Sequence, residues 1–188
     1  MPKLWNETIE AHRSAVRDTT LDAAAALVAE RGLTRVTMSA VAARTGIGRA
    51  TLYKYFPDVE SILATWHERQ VAAHLARLTA APAARGDAAG RLAAVLGAYA
   101  MIYYEHPVHE LAAALHRGDR VTGAEQHVTD LVAALIAEAA ASGHLRDDVP
   151  PPELARFCLS ATTAARTLPS KAAVHRLVQV TLTALSRT

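Results

Sequence analysis

Between Thr37 and Phe56 the chain gathers side chains suited to gripping an anion. Arg49, Thr51, Tyr53, Lys54 and Tyr55 supply cations, hydroxyls and aromatic rings within one short stretch. From Leu33 to Pro57 there are four cations (Arg35, Arg44, Arg49, Lys54) and no acid. Hydroxyls and helix N-terminal amides satisfy phosphate oxygens, and Arg and Lys reach guanine edges. The set reads as a nucleic-acid footprint, against the plainer reading of a solvated helix face. Elsewhere the charge is balanced. Residues 1–32 hold four cations against five acids, and residues 58–188 hold twelve against thirteen. The net charge of +2 is therefore concentrated in one segment.

Other chemistry is poorly supported. His106, His109 and His116, with Glu105 and Glu110 nearby, form the tightest set of possible metal ligands. Imidazoles could hold zinc or nickel and make the protein a metal sensor. But Pro107 breaks the local helix and no cysteine joins the set, so no metal centre is expected. There is no phosphate-binding glycine loop, no nucleophile-elbow serine and no zinc-protease histidine pair. No catalytic residue, cofactor or enzymatic activity is expected. The single cysteine, Cys158, excludes an internal disulfide framework. With 188 residues, 51% of them hydrophobic and 20% charged, a sizeable core is within reach. No apolar run approaches the roughly 18 residues of a membrane span. Residues 1–12 lack the apolar region of a signal peptide, so a cytoplasmic protein without membrane contact is expected.

The elements that must position the cationic segment are helices. Alanine is abundant, β-branched runs are short, and helix signals recur from end to end. The fold class is all-α, with about nine helices. A first helix runs from about Thr8 to Arg31, ended by Gly32. Thr37 caps a short helix ending near Thr45, and a second short helix covers about Gly48 to Phe56. Pro57 stops it, and Asp58 caps a longer helix reaching about Ala80. Asp87 caps a helix over about Ala88 to Glu105, and another is expected over roughly Val108 to Arg117. Thr122 and Glu125 form a capping box opening a helix to about Ser142. In it Val128, Leu131, Val132, Leu135, Ile136 and Ala139 make one apolar stripe. Pro152 suits the first turn of a helix ending near Leu168, and the last helix runs from about Lys171 to Leu185.

The two short helices joined by Gly46-Ile47-Gly48 have the form of a helix-turn-helix, in which the second helix enters the major groove. The same form also occurs in plain helical bundles. The stretch from Gly32 to Leu63, above all Thr51-Leu-Tyr-Lys-Tyr-Phe-Pro57, resembles the DNA-binding region of TetR-family transcriptional regulators. That resemblance implies an N-terminal three-helix DNA-binding domain over residues 1–57. It also implies a helical effector-binding and dimerisation domain over residues 58–188. By position it implies a phosphate contact at Thr37 and base-reading roles for Arg49 and Ala50. Thr51 and Lys54 become base or phosphate contacts, and Tyr53 and Tyr55 phosphate anchors. Gly48, also within the DNA-binding set, stands where the family often has Ser, so a side-chain cap is missing. Val59 stands where the family usually has a phosphate-contacting Lys. Arg44, or Arg13 and Arg17, could replace that anchor, although the latter two also read as a solvated helix face.

A single reading helix covers few base pairs, so a homodimer on an inverted repeat is mechanically expected. Phe157, Ala161, Ala165, Val174, Leu177, Val178, Thr181, Leu182 and Leu185 are the candidate interface, with the alternative that they cover their own core. Val180 and Ala184 extend apolarity to a further side of the last helix. Trp66, Leu96, Tyr99, Tyr103, His109, Leu131, Leu135 and Phe157 could line a site for a small organic effector. The expected function is an effector-released repressor of an inverted-repeat DNA operator. The competing reading is a helical small-molecule-binding protein or enzyme with no role on DNA.

Overall fold

The computed structural model describes residues 3–81, 86–105 and 119–187. Among them are eight α-helices: α1 (Lys3–Arg31), α2 (Met38–Thr45), α3 (Arg49–Tyr55), α4 (Val59–Ala80), α5 (Ala88–Glu105), α6 (Asp119–Ala141), α7 (Pro151–Thr162) and α8 (Lys171–Thr183). Two 3-10 turns, Leu33–Arg35 and Thr163–Thr167, complete the regular structure. The helix expected over 108–117 lies outside the described residues.

Side-chain caps set several helix starts. The Thr37 hydroxyl accepts from the Ala40 amide at 3.1 Å. The Asp58 carboxylate accepts from the Ser61 amide, and Asp87 from the Gly90 amide, each at 2.7 Å. The Ser170 hydroxyl accepts from the Ala173 amide at 3.2 Å. Each satisfies a helix-terminal donor that would otherwise be orphaned. Gly32, Gly46 and Gly143 take positive φ, as chain reversals after α1, α2 and α6 require.

Three boundaries differ from expectation. α1 begins at Lys3, not near Thr8, since nothing in residues 3–8 breaks a helix. α6 begins at Asp119, which places Thr122 and Glu125 inside the helix. A Thr-x-x-Glu spacing marks a start only where no helical turn precedes it. α7 ends at Thr162 and tightens into the 3-10 turn rather than running to Leu168. The Thr162 hydroxyl donates back to the Cys158 carbonyl at 2.7 Å, and the Thr163 hydroxyl to that of Ser160 at 2.7 Å. Such back-bonding loosens the regular ladder. Pro169 then holds Leu168 extended, at φ −80° and ψ 146°.

The described residues fall into two compact units, one ending at Gln70 and the other starting at Val71. In the first, Leu21, Ala24 and Leu27 of α1 pack with Val41 of α2, Leu52 of α3, Phe56, and Ile62 and Leu63 of α4. Pro57 closes α3, but the packing unit runs further because the first turns of α4 fill this core. In the second, α5 is central. Its Leu92, Val95, Leu96 and Ala100 are fully buried. They join Val132, Leu135, Ile136 and Ala139 of α6, Leu154, Ala155 and Cys158 of α7, and Val174 and Val178 of α8. Each buried Leu, Ile or Val among them contributes about 1.5–3 kcal/mol. The backbone amide of Arg146 donates to the Leu185 carbonyl at 2.9 Å, tying the α6–α7 connection to the end of α8.

Among the described residues no helix is long and apolar enough to cross a membrane.

Candidate nucleic-acid interface

The site is built on two inward anchors. Leu52 and Phe56, one turn apart, are 0% and 2% exposed. Fixing them in the core turns the rest of α3 outward, because a helix has one phase. Arg49, Ala50, Thr51, Tyr53 and Lys54 are exposed, and Tyr55 is half-buried at the edge. Tyr53, at 47% exposure, is one of the few large apolar surfaces open to solvent.

The turn aims this helix. Gly46 sits at φ 70° and ψ 5°, and its amide donates to the Ala42 carbonyl at 3.0 Å. The Thr45 hydroxyl donates to the Val41 carbonyl at 2.9 Å and accepts from the Ile47 amide at 3.2 Å. Ile47 then packs against the core. Gly48 is the N-cap of α3 and provides no side-chain hydrogen bond, although its carbonyl receives the amides of Thr51 and Leu52. The outward face of α3 carries no carboxylate.

The cations of this unit divide into two groups. The Arg44 guanidinium makes a two-pronged contact with the Glu30 carboxylate, both hydrogen bonds 2.7 Å. Hydrogen bonding and charge from Arg44 hold the Glu30 carboxyl below its ordinary range. Arg69 on α4 reaches both Asp18 and Asp22 on α1. Arg35, Arg49 and Lys54 form no ion pair among the described residues. Arg17 on α1 lies over the Phe56 ring, its guanidinium carbon 5.2 Å from the ring centroid. Arg13 and Arg17 thus stand on the side of α1 that faces α3. The sequence offers them only as substitutes for the anchor missing at Val59, or as a solvated face.

The residues expected to bind an effector do not all come together. Leu96, Tyr99, Tyr103, Leu131 and Leu135 share the core of the second unit. Leu96 is fully buried within it and Leu135 is buried. Tyr99 and Tyr103 are half-buried, with hydroxyls 3.3 Å apart and ring centroids 5.0 Å apart. Burial, then the neighbouring Tyr103 and Glu125, keep the Tyr99 phenol protonated well above the usual tyrosine range. Trp66 packs instead against the core of the first unit. Phe157 is 48% exposed on the outward side of α7, because Leu154, Ala155, Cys158 and Leu159 fix the inward phase. His109, with His106, His116 and Glu110, lies outside the described residues. Glu105 is engaged by Arg77 at 2.9 Å.

The interface candidates also divide. Ala165, Val174, Val178, Thr181 and Leu185 are buried in their own unit. Ala161, Leu177 and Leu182 are partly exposed. Val180 on α8 is 68% exposed. Phe157 on α7 and Val180 on α8 are the large apolar side chains left exposed on these two helices among the described residues.

Parts of the chain match known families. Residues 21–65 match the family model described as bacterial regulatory proteins, tetR family. Residues 98–187 match the C-terminal domain of SbtR-like transcriptional regulators. Over 55 residues the chain is 42% identical to an uncharacterized HTH-type transcriptional regulator of Mycobacterium bovis, a match spanning 29% of either chain. A transcriptional regulator of the TetR/AcrR family from Thermobifida fusca shares the fold with a TM-score of 0.73 at 22% identity, over 92% of this chain and 100% of that one. The regulator FadR of Bacillus subtilis, solved in complex with stearoyl-CoA, does so with a TM-score of 0.67 at 14% identity, over 89% of this chain and 98% of that one.

Proposed function

The chain belongs to the TetR family of transcriptional regulators, and from that premise we propose that it is a homodimeric repressor which a small organic effector releases from an inverted-repeat operator. One observation carries the reading of DNA: the solvent face of α3, with Arg49, Ala50, Thr51, Tyr53 and Lys54, is cationic and hydroxyl-bearing and lacks any carboxylate. In the proposed complex Arg49 and Ala50 read base edges. Thr37, Thr51, Tyr53, Lys54 and Tyr55 hold phosphates and set register. Arg44, paired with Glu30, steadies α2 against α1. Residues 1–57 supply the reading part, and residues 58–188 the effector-binding and dimerising part.

Two reading helices must stand roughly 34–36 Å apart to fall on successive major grooves. The exposed Phe157 and Val180, with Ala161, Leu177 and Leu182, support pairing through α7 and α8. The half-buried Tyr99 and Tyr103 hydroxyls supply a neutral polar group beside the apolar residues Leu96, Leu131 and Leu135. An effector acts only through its different affinity for the DNA-bound and free states.

The test is selection of bound duplexes from a random pool, followed by gel-shift measurements on the winning sequence. An enriched palindrome that Tyr53→Phe with Lys54→Ala no longer binds is the expected result. Failure of any sequence to outcompete bulk genomic fragments would return the protein to the class of helical small-molecule binders.

A further inference from the structure

A groove of about 580 Å³ runs between α1 and α3, lined by Glu10, Arg13, Ser14 and Arg17 on one side and Thr51, Lys54 and Tyr55 on the other. The spacing explains the convergence. Arg13, Ser14 and Arg17 share one face of α1, and Thr51, Lys54 and Tyr55 share one face of α3. Three cations and three hydroxyls therefore meet a single carboxylate.

That carboxylate is weakly committed. Glu10 lies 3.6 Å from Arg13 one turn away, and the two side chains are 72% and 58% exposed. Such a surface pair contributes little and is readily exchanged for a stronger anion. Arg17 is oriented by the Phe56 ring beneath it and has no carboxylate partner among the described residues. A guanidinium attracted to an aromatic face still has N–H donors to offer an anion. Lys54 likewise has no ion pair among the described residues. By contrast Arg44, Arg69, Arg77, Arg91 and Arg146 each hold a carboxylate. Thr51 and Lys54 belong both to the groove and to the exposed face of α3, so the two surfaces are continuous.

We propose that this groove is a phosphate-binding site in which Arg13, Ser14 and Arg17 of α1 act with Lys54 of α3 to grip the sugar-phosphate backbone beside the bases that α3 reads. The inference rests on the DNA-reading role of α3 and adds α1 to the contact surface. Backbone contacts carry no sequence information, so the groove raises affinity for every duplex alike. Each phosphate neutralised contributes about 0.9 to the slope of log affinity against log salt.

The test is a fluorescence-anisotropy titration of the full chain against its selected operator and an unrelated duplex over a salt series. Arg13→Gln with Arg17→Gln is expected to weaken both duplexes by the same factor and to flatten the slope by about 0.9 for each phosphate no longer neutralised. Glu10→Gln is expected to tighten both. Arg17 covers Phe56, so Arg13→Gln alone, at an exposed position, gives a reading independent of folding. Arg49→Ala serves as the control for base reading. If Arg49→Ala loses operator preference while the double variant keeps wild-type affinity and slope, the groove proposal fails and the α3 reading stands. If the wild type binds no duplex, both fail. If the double variant binds duplex normally but loses inorganic pyrophosphate binding seen in the wild type, the groove belongs to a free phosphate ligand and the proposal is overturned.

Discussion

Arg44 on α2 grips Glu30 on α1 through two parallel hydrogen bonds of 2.7 Å. Of the four cations between Leu33 and Pro57, this one is neutralised within the fold. It ties α2, which leads into the turn before α3, to α1.

The pair gives a stability signature with a definite sign. Arg44 lowers the Glu30 carboxyl from its ordinary value of 4.5. The stabilisation is complete above the ordinary carboxylate range and is lost as pH falls through the depressed value. Both groups are exposed, so the effect is small and screened by salt. Glu30→Gln is expected to lower the thermal midpoint slightly at neutral pH and low salt. The difference from wild type should vanish in strong acid and shrink at high salt. A deficit that persists in acid would assign the loss to packing rather than to charge.

Gly46 and Gly48 flank the same turn and should respond oppositely to substitution. Gly46 has φ 70°, a left-handed backbone costing about 1–2 kcal/mol for a residue with a Cβ. Gly48 has φ −59° and ψ 140°, and a Cβ there meets only the Thr51 hydroxyl at 4.0 Å. Gly46→Ala is expected to destabilise by about 1 kcal/mol or more. Gly48→Ser, which adds the absent cap, should gain a few tenths of a kcal/mol. Urea unfolding of the two variants measures both. Equal losses would mean that space, not backbone conformation, governs the turn.

Local signals made the first unit legible. Thr37, Gly46 and Asp58 each act within a few residues, and the structure uses them as caps and turn. The second unit depends on phase between distant helices, which residue type alone leaves open. Phe157 reads both as an effector-lining residue and as an interface residue, and Ala155 and Leu159 take the inward positions and leave it exposed. Trp66 reads as part of the body because it follows Pro57, yet the early turns of α4 serve the first core. The Arg17–Phe56 contact joins residues far apart in the chain, and no local pattern announces it.

In the proposed complex the outward face of α3 makes two kinds of contact, which differ in their effect on sequence preference. Arg49 can bond guanine at two points, a contact that discriminates by about 1–3 kcal/mol. Arg49→Ala is expected to relax preference at one position of each half-site while leaving the salt slope nearly intact. Tyr53→Phe with Lys54→Ala should weaken every duplex alike and flatten the slope. Binding profiles over a panel of single-base operator variants distinguish the two. Loss of preference in the Tyr53 and Lys54 variant, with Arg49→Ala neutral, would reverse the assignment of bases and phosphates.

On the last two helices burial separates core positions from surface ones. Val174 is 1% exposed and Val180 is 68% exposed on the same helix. A charge at the first is buried without a counter-ion and should unfold the second unit. A charge at the second meets solvent in a lone chain and is harmless there, but opposes a second copy of the same face. Phe157→Glu with Val180→Glu is therefore expected to keep helix content and thermal midpoint while moving sedimentation from dimer to monomer at micromolar concentration. Operator affinity should fall further than affinity for a single half-site, because only the paired chain engages both grooves. A double variant that remains a dimer, with full operator affinity, would place the pairing surface elsewhere on the chain.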